Sequence, residues 1–141
     1  MAIPAHLRLE FVTPERSVAH EDVDEVEIPG EDGYFGVLPG HAPLLAALRT
    51  GEIWYRKGHE KKYAFVAGGF VEVLPDRVAV LAPIGERAED IDHQRAEAAK
   101  HRAEQRLAGR ATADMDFERA RIALLKAISR IQVARHIRPR P

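Results

Sequence analysis

The chain has 141 residues, 45% of them hydrophobic, and a formal net charge of −1. This length fits one domain or one small domain with an appendage, and the hydrophobic fraction excludes a disordered chain. Because there is no cysteine, disulfides, thiolate catalysis and cysteine-based zinc sites are excluded, and no run of about 18 apolar residues predicts a transmembrane helix.

The first 87 residues predict a β-sandwich or barrel. Short β-branched or aromatic runs are divided by glycine and proline turns at a spacing of about 8–12 residues, which is typical of such folds. We expect strands at residues 23–28, 53–55, 63–66, 70–73 and 77–81. No helical pattern separates these runs, so a parallel α/β fold is not expected. The first twelve residues have neither signal-peptide nor transit-peptide character, which predicts a cytosolic protein of bacterial type.

The remaining residues predict a pair of helices. Residues 90–108 contain no glycine or proline, and Gly109 can end the first helix. Thr112 or Asp114 can cap a second helix that runs to about residue 136. One apolar stripe is formed by Ala96, Ala99, Ala103 and Leu107, and the other by Phe117, Ala120, Leu124, Ala127, Ile131 and Ala134. We therefore expect an α+β protein: an N-terminal antiparallel β-sandwich in residues 1–87, followed by a C-terminal antiparallel two-helix hairpin in residues 88–141.

The predicted contact between the helices is rich in alanine. Alanine buries little area, so at roughly 25 cal/mol per Å² the contact gains only a few kcal/mol. Two interpretations stay open: an ordinary packed hairpin, or one held weakly enough to leave its docking place or straighten.

Charge is distributed unevenly along the chain. Residues 1–87 carry 14 acidic and 9 basic residues, a net −5, whereas residues 88–141 carry 8 acidic and 12 basic residues, a net +4. No acid follows Glu118, and the basic positions of the predicted second helix are Arg119, Arg121, Lys126, Arg130 and Arg135. Such a run either contacts an anionic partner or forms a solvated helix face.

Catalysis and nucleic-acid binding are both disfavoured. The seven histidines are scattered, and there is no phosphate-binding loop or nucleophile elbow, so we expect neither a catalytic residue nor a metal site. The β part is acidic and aromatic residues are sparse, which argues against nucleic acid. A generic β-sandwich interaction module with a basic helical tail is the alternative that the residues alone leave open.

Residues 33–45, GYFGVLPGHAPLL, form a glycine- and proline-rich segment that we expect to be a sharply bent loop bearing an apolar ridge. The segment closely resembles the signature loop of the epsilon subunits of bacterial-type F-type ATP synthases. Residues 14–16, 48–51, 66–73 and 127–134 resemble the same family in the same order, so the resemblance covers nearly the whole chain.

The resemblance implies a non-catalytic rotor subunit of the central stalk, which couples proton flow to ATP synthesis. In that family the β-sandwich binds the gamma subunit and the ring of c subunits. The helices lie against the sandwich, or extend along gamma and inhibit ATP hydrolysis, with basic residues meeting the beta subunits of the alpha–beta headpiece. Such a subunit needs no cofactor and lies at the cytoplasmic face of the plasma membrane only through the complex. The partner-binding residues implied here are Gly33, Tyr34, Gly36, Leu38, Pro39, His41 and Pro43. Some relatives have a carboxylate at the position of Tyr34, so contact with the c ring there would be packing rather than charge.

Residues 91–96, IDHQRA, resemble a pattern that binds ATP as a regulatory ligand in some bacterial members of the family. The resemblance implies a nucleotide site made of Glu86, Ile91, Asp92, Arg95, Ala96, Arg102, Lys126 and Arg130. Arginines on facing helices can fork onto phosphate oxygens, although Lys126 stands where an arginine is typical. The alternative is that Asp92 caps the helix and that Arg95 and Arg102 are solvated.

Overall fold

A computed structural model describes residues 2–109 and 114–137, without the side chains of residues 114 and 115. The chain folds as two units, Met1–Arg87 and Ala88–Pro141. The strands of the first unit are β1 (Leu7–Val12), β2 (Ser17–Val23), β3 (Glu25–Gly30), β4 (Gly33–Val37), β5 (Leu44–Ala47), β6 (Gly51–Lys57), β7 (Glu60–Ala67), β8 (Phe70–Leu74), β9 (Arg77–Leu81) and β10 (Ile84–Arg87). The second unit has a 3₁₀ turn (Ala88–Asp90), α1 (His93–Gly109) and α2 (Asp114–Ala134).

The ten strands form two five-stranded sheets, which confirms the predicted sandwich. Sheet A has the order β2-β1-β9-β8-β5, and sheet B has the order β10-β7-β6-β3-β4. Every strand pair is antiparallel except β1 and β9, which run parallel. A parallel pair needs a long connection, and here the strands between β1 and β9 in sequence supply it.

The core lies between the sheets and follows the period-two alternation of the strands. Leu7, Leu9 and Phe11 of β1 are fully buried, while the residues between them are only partly buried. A Cβ on Gly85 would lie 2.6 Å from ring atoms of Phe11, so a glycine is needed there for the aromatic ring to fit.

The predicted bent loop at residues 33–45 is wrong at both ends. Residues 33–37 are strand β4 and residues 44–47 are strand β5, so only residues 38–43 form a loop. Gly36 lies opposite Glu27 of β3, and a Cβ there would be 3.2 Å from the Glu27 carboxylate. This glycine therefore permits close approach within a sheet and does not mark a turn. Strands β1, β2 and β10 were also missing from the prediction.

The two helices are present with shifted ends. α1 begins at His93 because residues 88–90 form a separate turn, and it ends with Gly109 as its last residue. The short connection makes the helices antiparallel, and they pack on each other. Thr112 lies outside the described residues, and so does the side chain of Asp114, so neither predicted cap is placed.

The helix stripes are largely as predicted. Ala96 and Ala103 of α1 are buried, as are Ala120, Ala127, Ile131 and Ala134 of α2. Phe117 is 44% exposed, so its assignment to the buried stripe is wrong. Ser129 and Val133 are buried without belonging to that stripe.

Candidate functional site

The seven predicted partner-binding residues lie at two opposite ends of the sandwich. β4 pairs with β3 so that Gly33 lies opposite Gly30 and Val37 opposite Val26. Gly33 and Tyr34 therefore lie at the β3–β4 turn, and Gly36 lies within the strand. Leu38, Pro39, His41 and Pro43 lie at the other end, where the Gly40 N–H donates to the Pro75 carbonyl at 2.7 Å. One continuous sequence motif thus supplies two separate surfaces.

Tyr34 is half-exposed and held at its hydroxyl. The Glu52 N–H donates to the Tyr34 hydroxyl at 3.2 Å, and the Arg49 guanidinium lies 5.2 Å from the centre of the ring. A cation above the ring face is attracted by the π-electrons. A partner at this position therefore meets an aromatic ring with a positive charge beside it.

The acidic turn next to Tyr34 lines an open groove. Glu31 and Asp32 border this groove of about 500 Å³ together with Phe35, Leu44 and Leu45. Both carboxylates are exposed. Negative charge is thus present at this end of the sandwich although position 34 has no carboxylate.

His41 is engaged with the backbone of its own loop. Its ring Nδ1 lies 2.7 Å from the Ala42 carbonyl oxygen, and its backbone N–H donates to the Leu38 carbonyl at 3.1 Å. These bonds favour a structural role for the imidazole. Leu38 is 54% exposed, so it is an apolar contact group that this turn presents to solvent.

The outer face of sheet A carries an apolar row that the sequence analysis missed. The strand register aligns Ala47, Phe70, Leu81 and Val12 across β5, β8, β9 and β1. Phe70 is 58% exposed and Leu81 is 59% exposed. A signal existed in the sequence: Val71 and Val73 face the core, so alternation turns Phe70 outward. Exposed apolar rows of this kind mark contact sites for other proteins.

The other end of the same face is charged. Arg8 donates to the Asp22 carboxylate at 3.2 Å and to His20 Nε2 at 2.6 Å. Arg77 donates to the Glu10 carboxylate at 3.1 Å. The outer face of sheet A is therefore apolar at one end and a network of paired charges at the other.

Asp92 is the N-cap of α1. Its carboxylate accepts a hydrogen bond from the Arg95 N–H at 3.0 Å, and its carbonyl accepts one from the Ala96 N–H at 3.0 Å. This satisfies a backbone donor that has no partner within the helix. Ile91 and Ala96 are buried, so within the IDHQRA motif they are packing residues.

The cationic members of the predicted nucleotide site lie on one side of the hairpin. Arg95 and Arg102 are seven residues apart, so they project within about 20° of each other, and both are exposed. Lys126 and Arg130 are one turn apart and partly buried. When the buried stripes of an antiparallel pair face each other, the two α1 arginines fall on the same side of the pair as Lys126 and Arg130 of α2. Glu86 belongs to the sandwich unit.

Four of the five basic residues named in the sequence analysis lie in α2, and Arg135 follows its last residue; the four do not share one side of the helix. At about 100° per residue, Arg119, Lys126 and Arg130 project within about 40° of one another. Arg121 projects from the opposite side.

Arg121 is also paired locally. It donates to the two carboxylate oxygens of Glu118 at 3.0 and 3.4 Å. That hydrogen bond lowers the pKa of Glu118 and raises the pKa of Arg121 from their ordinary values.

Two negative findings concern the chemistry open to the chain. Across residues 2–109 and 114–137, no group of three or more His, Asp or Glu side chains could hold a metal ion. In the same part of the chain, no helix is long and apolar enough to cross a membrane.

Comparisons with known proteins match more than nine-tenths of the chain. The family model "ATP synthase, Delta/Epsilon chain, beta-sandwich domain" matches residues 6–88, and the model for the long alpha-helix domain of the same chain matches residues 89–135. The ATP synthase epsilon chain of Syntrophobacter fumaroxidans is 50% identical over 129 residues, which are 91% of this chain and 95% of the relative. The ATP synthase epsilon chain of Solibacter usitatus is 48% identical over 132 residues, covering 94% and 98%.

A solved structure supports the same fold. A chain in the mitochondrial ATP synthase OSCP/F1/c-ring assembly of Euglena gracilis superposes with a TM-score of 0.81 at 23% identity. The superposition covers 92% of this chain and 81% of that chain. At this identity the likeness speaks for the fold alone.

Proposed function

This chain belongs to the ATP synthase epsilon-chain family, and on that premise we propose which of its surfaces hold it in the complex and how its helices regulate hydrolysis. It is a non-catalytic subunit of the central stalk. Its role is to couple proton flow to ATP synthesis as part of the rotor. As a peripheral component of the complex, it would lie at the cytoplasmic face of the bacterial plasma membrane.

The outer face of sheet A is the proposed contact with the gamma subunit. The single observation that carries this assignment is the exposed apolar row, with Phe70 and Leu81 more than half exposed on a flat sheet face. A row of this kind fits a partner held permanently, because obligate interfaces are apolar. The β3–β4 end, with Tyr34 and the acidic groove beside it, is the proposed contact with the c ring.

Two substitutions, at residues of similar exposure, test whether gamma contacts the apolar row or the loop of residues 38–43. Phe70→Asp should abolish binding of the full-length chain to a purified gamma subunit, because a carboxylate would be buried without a partner. Leu38→Asp, at the other end of the sandwich, should bind as the parent does. If Leu38→Asp loses binding and Phe70→Asp keeps it, the loop of residues 38–43 is the contact instead.

The helical hairpin is the proposed regulatory element. It would equilibrate between a docked state and a state extended along gamma, and the extended state would block ATP hydrolysis by contacts with the alpha and beta subunits. The buried stripes of the two helices consist largely of alanine, which buries little area, so the free energy needed to separate the helices is modest. Moving such an equilibrium from 1:99 to 99:1 takes about 5.5 kcal/mol of differential affinity, so several charged contacts are needed.

Arg119, Lys126 and Arg130 share one side of α2 and are the proposed cations for this contact. Replacing all three with alanine should raise the ATPase activity of the assembled enzyme and leave assembly intact. Replacing Arg121 and Arg135 instead is the control for loss of positive charge elsewhere, since Arg121 projects from the other side and is already paired with Glu118, and Arg135 follows the end of the helix. Equal activation by both sets would show that overall charge acts rather than one face.

ATP is the proposed regulatory ligand of the hairpin. Arg95, Arg102, Lys126 and Arg130 lie on one side of the helix pair, as a triphosphate requires. Arg95→Ala and Arg130→Ala should each abolish the heat of ATP binding, because a charge-assisted bond is worth about 1.5–3 kcal/mol. Arg121→Ala, on the other side of α2, should bind ATP like the parent. Absence of heat at millimolar ATP for the parent chain would remove this proposal.

A further inference from the structure

The proposed ATP site lies on a side of the helix pair that presents mostly positive charge. Arg95 and Arg102 of α1 are exposed and lie seven residues apart, an axial distance of about 10 Å. Lys126 and Arg130 lie one turn apart in the C-terminal half of α2, which runs beside the N-terminal half of α1 because the helices are antiparallel. The four cations thus form a row that is long enough for several phosphate groups.

The aromatic rings of the hairpin project away from this row. Recognition of a base needs an aromatic ring to stack on or hydrogen bonds to the edge of the base. Phe117 is the only Phe, Tyr or Trp after residue 87, and at about 100° per residue it projects about 140–180° away from Lys126 and Arg130. His93 precedes Arg95 by two residues and so projects about 160° away from it. A base whose phosphates lie at the cations would therefore stack on neither ring.

The IDHQRA motif contributes packing and capping groups at its apolar and acidic positions. Ile91 and Ala96 are each 4% exposed, so packing takes up their side chains. The Asp92 carboxylate caps α1 by accepting the Arg95 N–H at 3.0 Å, and its negative charge repels a phosphate. Within the motif, Arg95 is thus the residue whose charge and exposure suit a phosphate.

We propose that this side of the hairpin recognises a triphosphate group and not a base, so that its ligands form a class: ATP, other nucleoside triphosphates and inorganic triphosphate. The inference rests on the proposed ATP site and widens its ligand. A guanidinium has five N–H donors, so it can fork onto phosphate oxygens and still donate to a neighbouring group. Lys126 adds a point charge, which attracts an anion whatever else the anion carries.

The affinity should then follow the number of phosphate groups. A triphosphate carries more charge and more oxygens than a monophosphate, so it engages more of the row at once. Each charge-assisted contact that a shorter ligand loses should weaken binding by about tenfold or more. ATP, GTP and inorganic triphosphate should bind with dissociation constants within about threefold of one another, and AMP should bind at least about a hundredfold more weakly.

Calorimetry of the full-length chain with these four ligands, at equal ionic strength and without divalent cations, tests the inference. Arg102→Ala should weaken ATP, GTP and inorganic triphosphate by the same factor, about tenfold or more. Arg121→Ala is the matched control, because it removes an exposed arginine from the other side of α2 and should leave all three dissociation constants unchanged. Asp92→Asn and Glu86→Gln remove carboxylates that could accept from an amino group of a base, and neither should weaken ATP relative to inorganic triphosphate.

The outcomes separate this inference from the ATP proposal beneath it. If none of the three triphosphates binds the parent chain, the ATP site is wrong and the inference goes with it. If ATP binds but differs from GTP or inorganic triphosphate by more than about tenfold, the ATP site stands and indifference to the base is refuted. Equal weakening by Arg102→Ala and Arg121→Ala would show attraction to the overall charge of the hairpin and would also refute the inference.

Discussion

Asp92 of the IDHQRA motif caps α1. Replacing it tests whether its carboxylate stabilises the helix, binds nucleotide, or does both. The Asp92 carboxylate accepts from the Arg95 N–H at 3.0 Å and lies at the positive end of the α1 dipole. Asp92→Ala loses both this hydrogen bond and the favourable interaction with the helix dipole, and it should destabilise the helix by about 1 kcal/mol. Asp92→Asn keeps the hydrogen bond, because asparagine is as good a cap, and should cost only a few tenths of a kcal/mol.

Amide hydrogen exchange along α1 measures this cost directly. A loss of about 1 kcal/mol should increase the open population of the first turn roughly fivefold, and the amide of Arg95 should show the largest loss of protection. Glu104→Ala, which removes an exposed carboxylate from the middle of α1, is the control and should not expose that amide. If Asp92→Ala exchanges like the parent, or if Asp92→Asn is as damaging as Asp92→Ala, the capping argument is refuted.

The same pair of variants separates capping from the proposed contact with ATP. A nucleotide that needs the negative carboxylate or its hydrogen-bonding pattern should lose affinity with Asp92→Asn even though the helix stays intact. A nucleotide that needs only a formed helix should bind Asp92→Asn normally and bind Asp92→Ala less well. Calorimetry with ATP on both variants gives the answer.

Two further predictions concern stability. Gly69 has a φ of +97°, and a Cβ there would clash with the backbone carbonyl of Leu81, so Gly69→Ala should lower the free energy of unfolding, measured by chemical denaturation, by about 3 kcal/mol or more. Gly58 has a φ of +61° and open space around it, so Gly58→Ala should lower it by only about 1 kcal/mol. Equal losses in the two variants would refute the steric argument. The hydrogen bond from Arg121 lowers the pKa of Glu118, so its small contribution to helix stability is present above about pH 4.3 and is lost as pH falls through the lowered value. Glu118→Gln should remove that part of the pH dependence of helicity, measured by circular dichroism between about pH 2.5 and 6, and a parent-like profile would contradict it.

The strands that the sequence predicted are those in which β-branched residues face the core from a central position. Residues 70–73 and 77–81 alternate clearly and lie in the middle of sheet A. The strand at residues 33–37 was missed because its two glycines indicate a turn, and only the pairing with β3 shows that Gly36 permits close approach to Glu27. A local pattern cannot distinguish these two uses of glycine, because both depend on what lies opposite.

Some residues of the candidate surfaces were predicted and others were missed, again because a local pattern does not show which strands or helix sides meet. Asp92 was recognised both as a cap and as part of the motif, since capping depends on residues three positions apart. The apolar row of Phe70 and Leu81 was not recognised, because its members come from strands that meet only in the folded sheet. The five cations after residue 118 were grouped by their count alone, and a count of charges does not include the 3.6-residue period that separates Arg121 from the others in α2.

The fold class, the order of a β part before a helical part, and the family could be read from the order of the amino acids, since they depend on local periodicity and on motifs along the chain. Which residues share a surface depends on how the chain folds. Strand pairing placed the two halves of one motif at opposite ends of the sandwich and brought Arg8, His20 and Asp22 into one network. The physical reason is that hydrogen-bonded register joins residues distant in sequence, and a shift of one residue would turn each of these side chains to the other face.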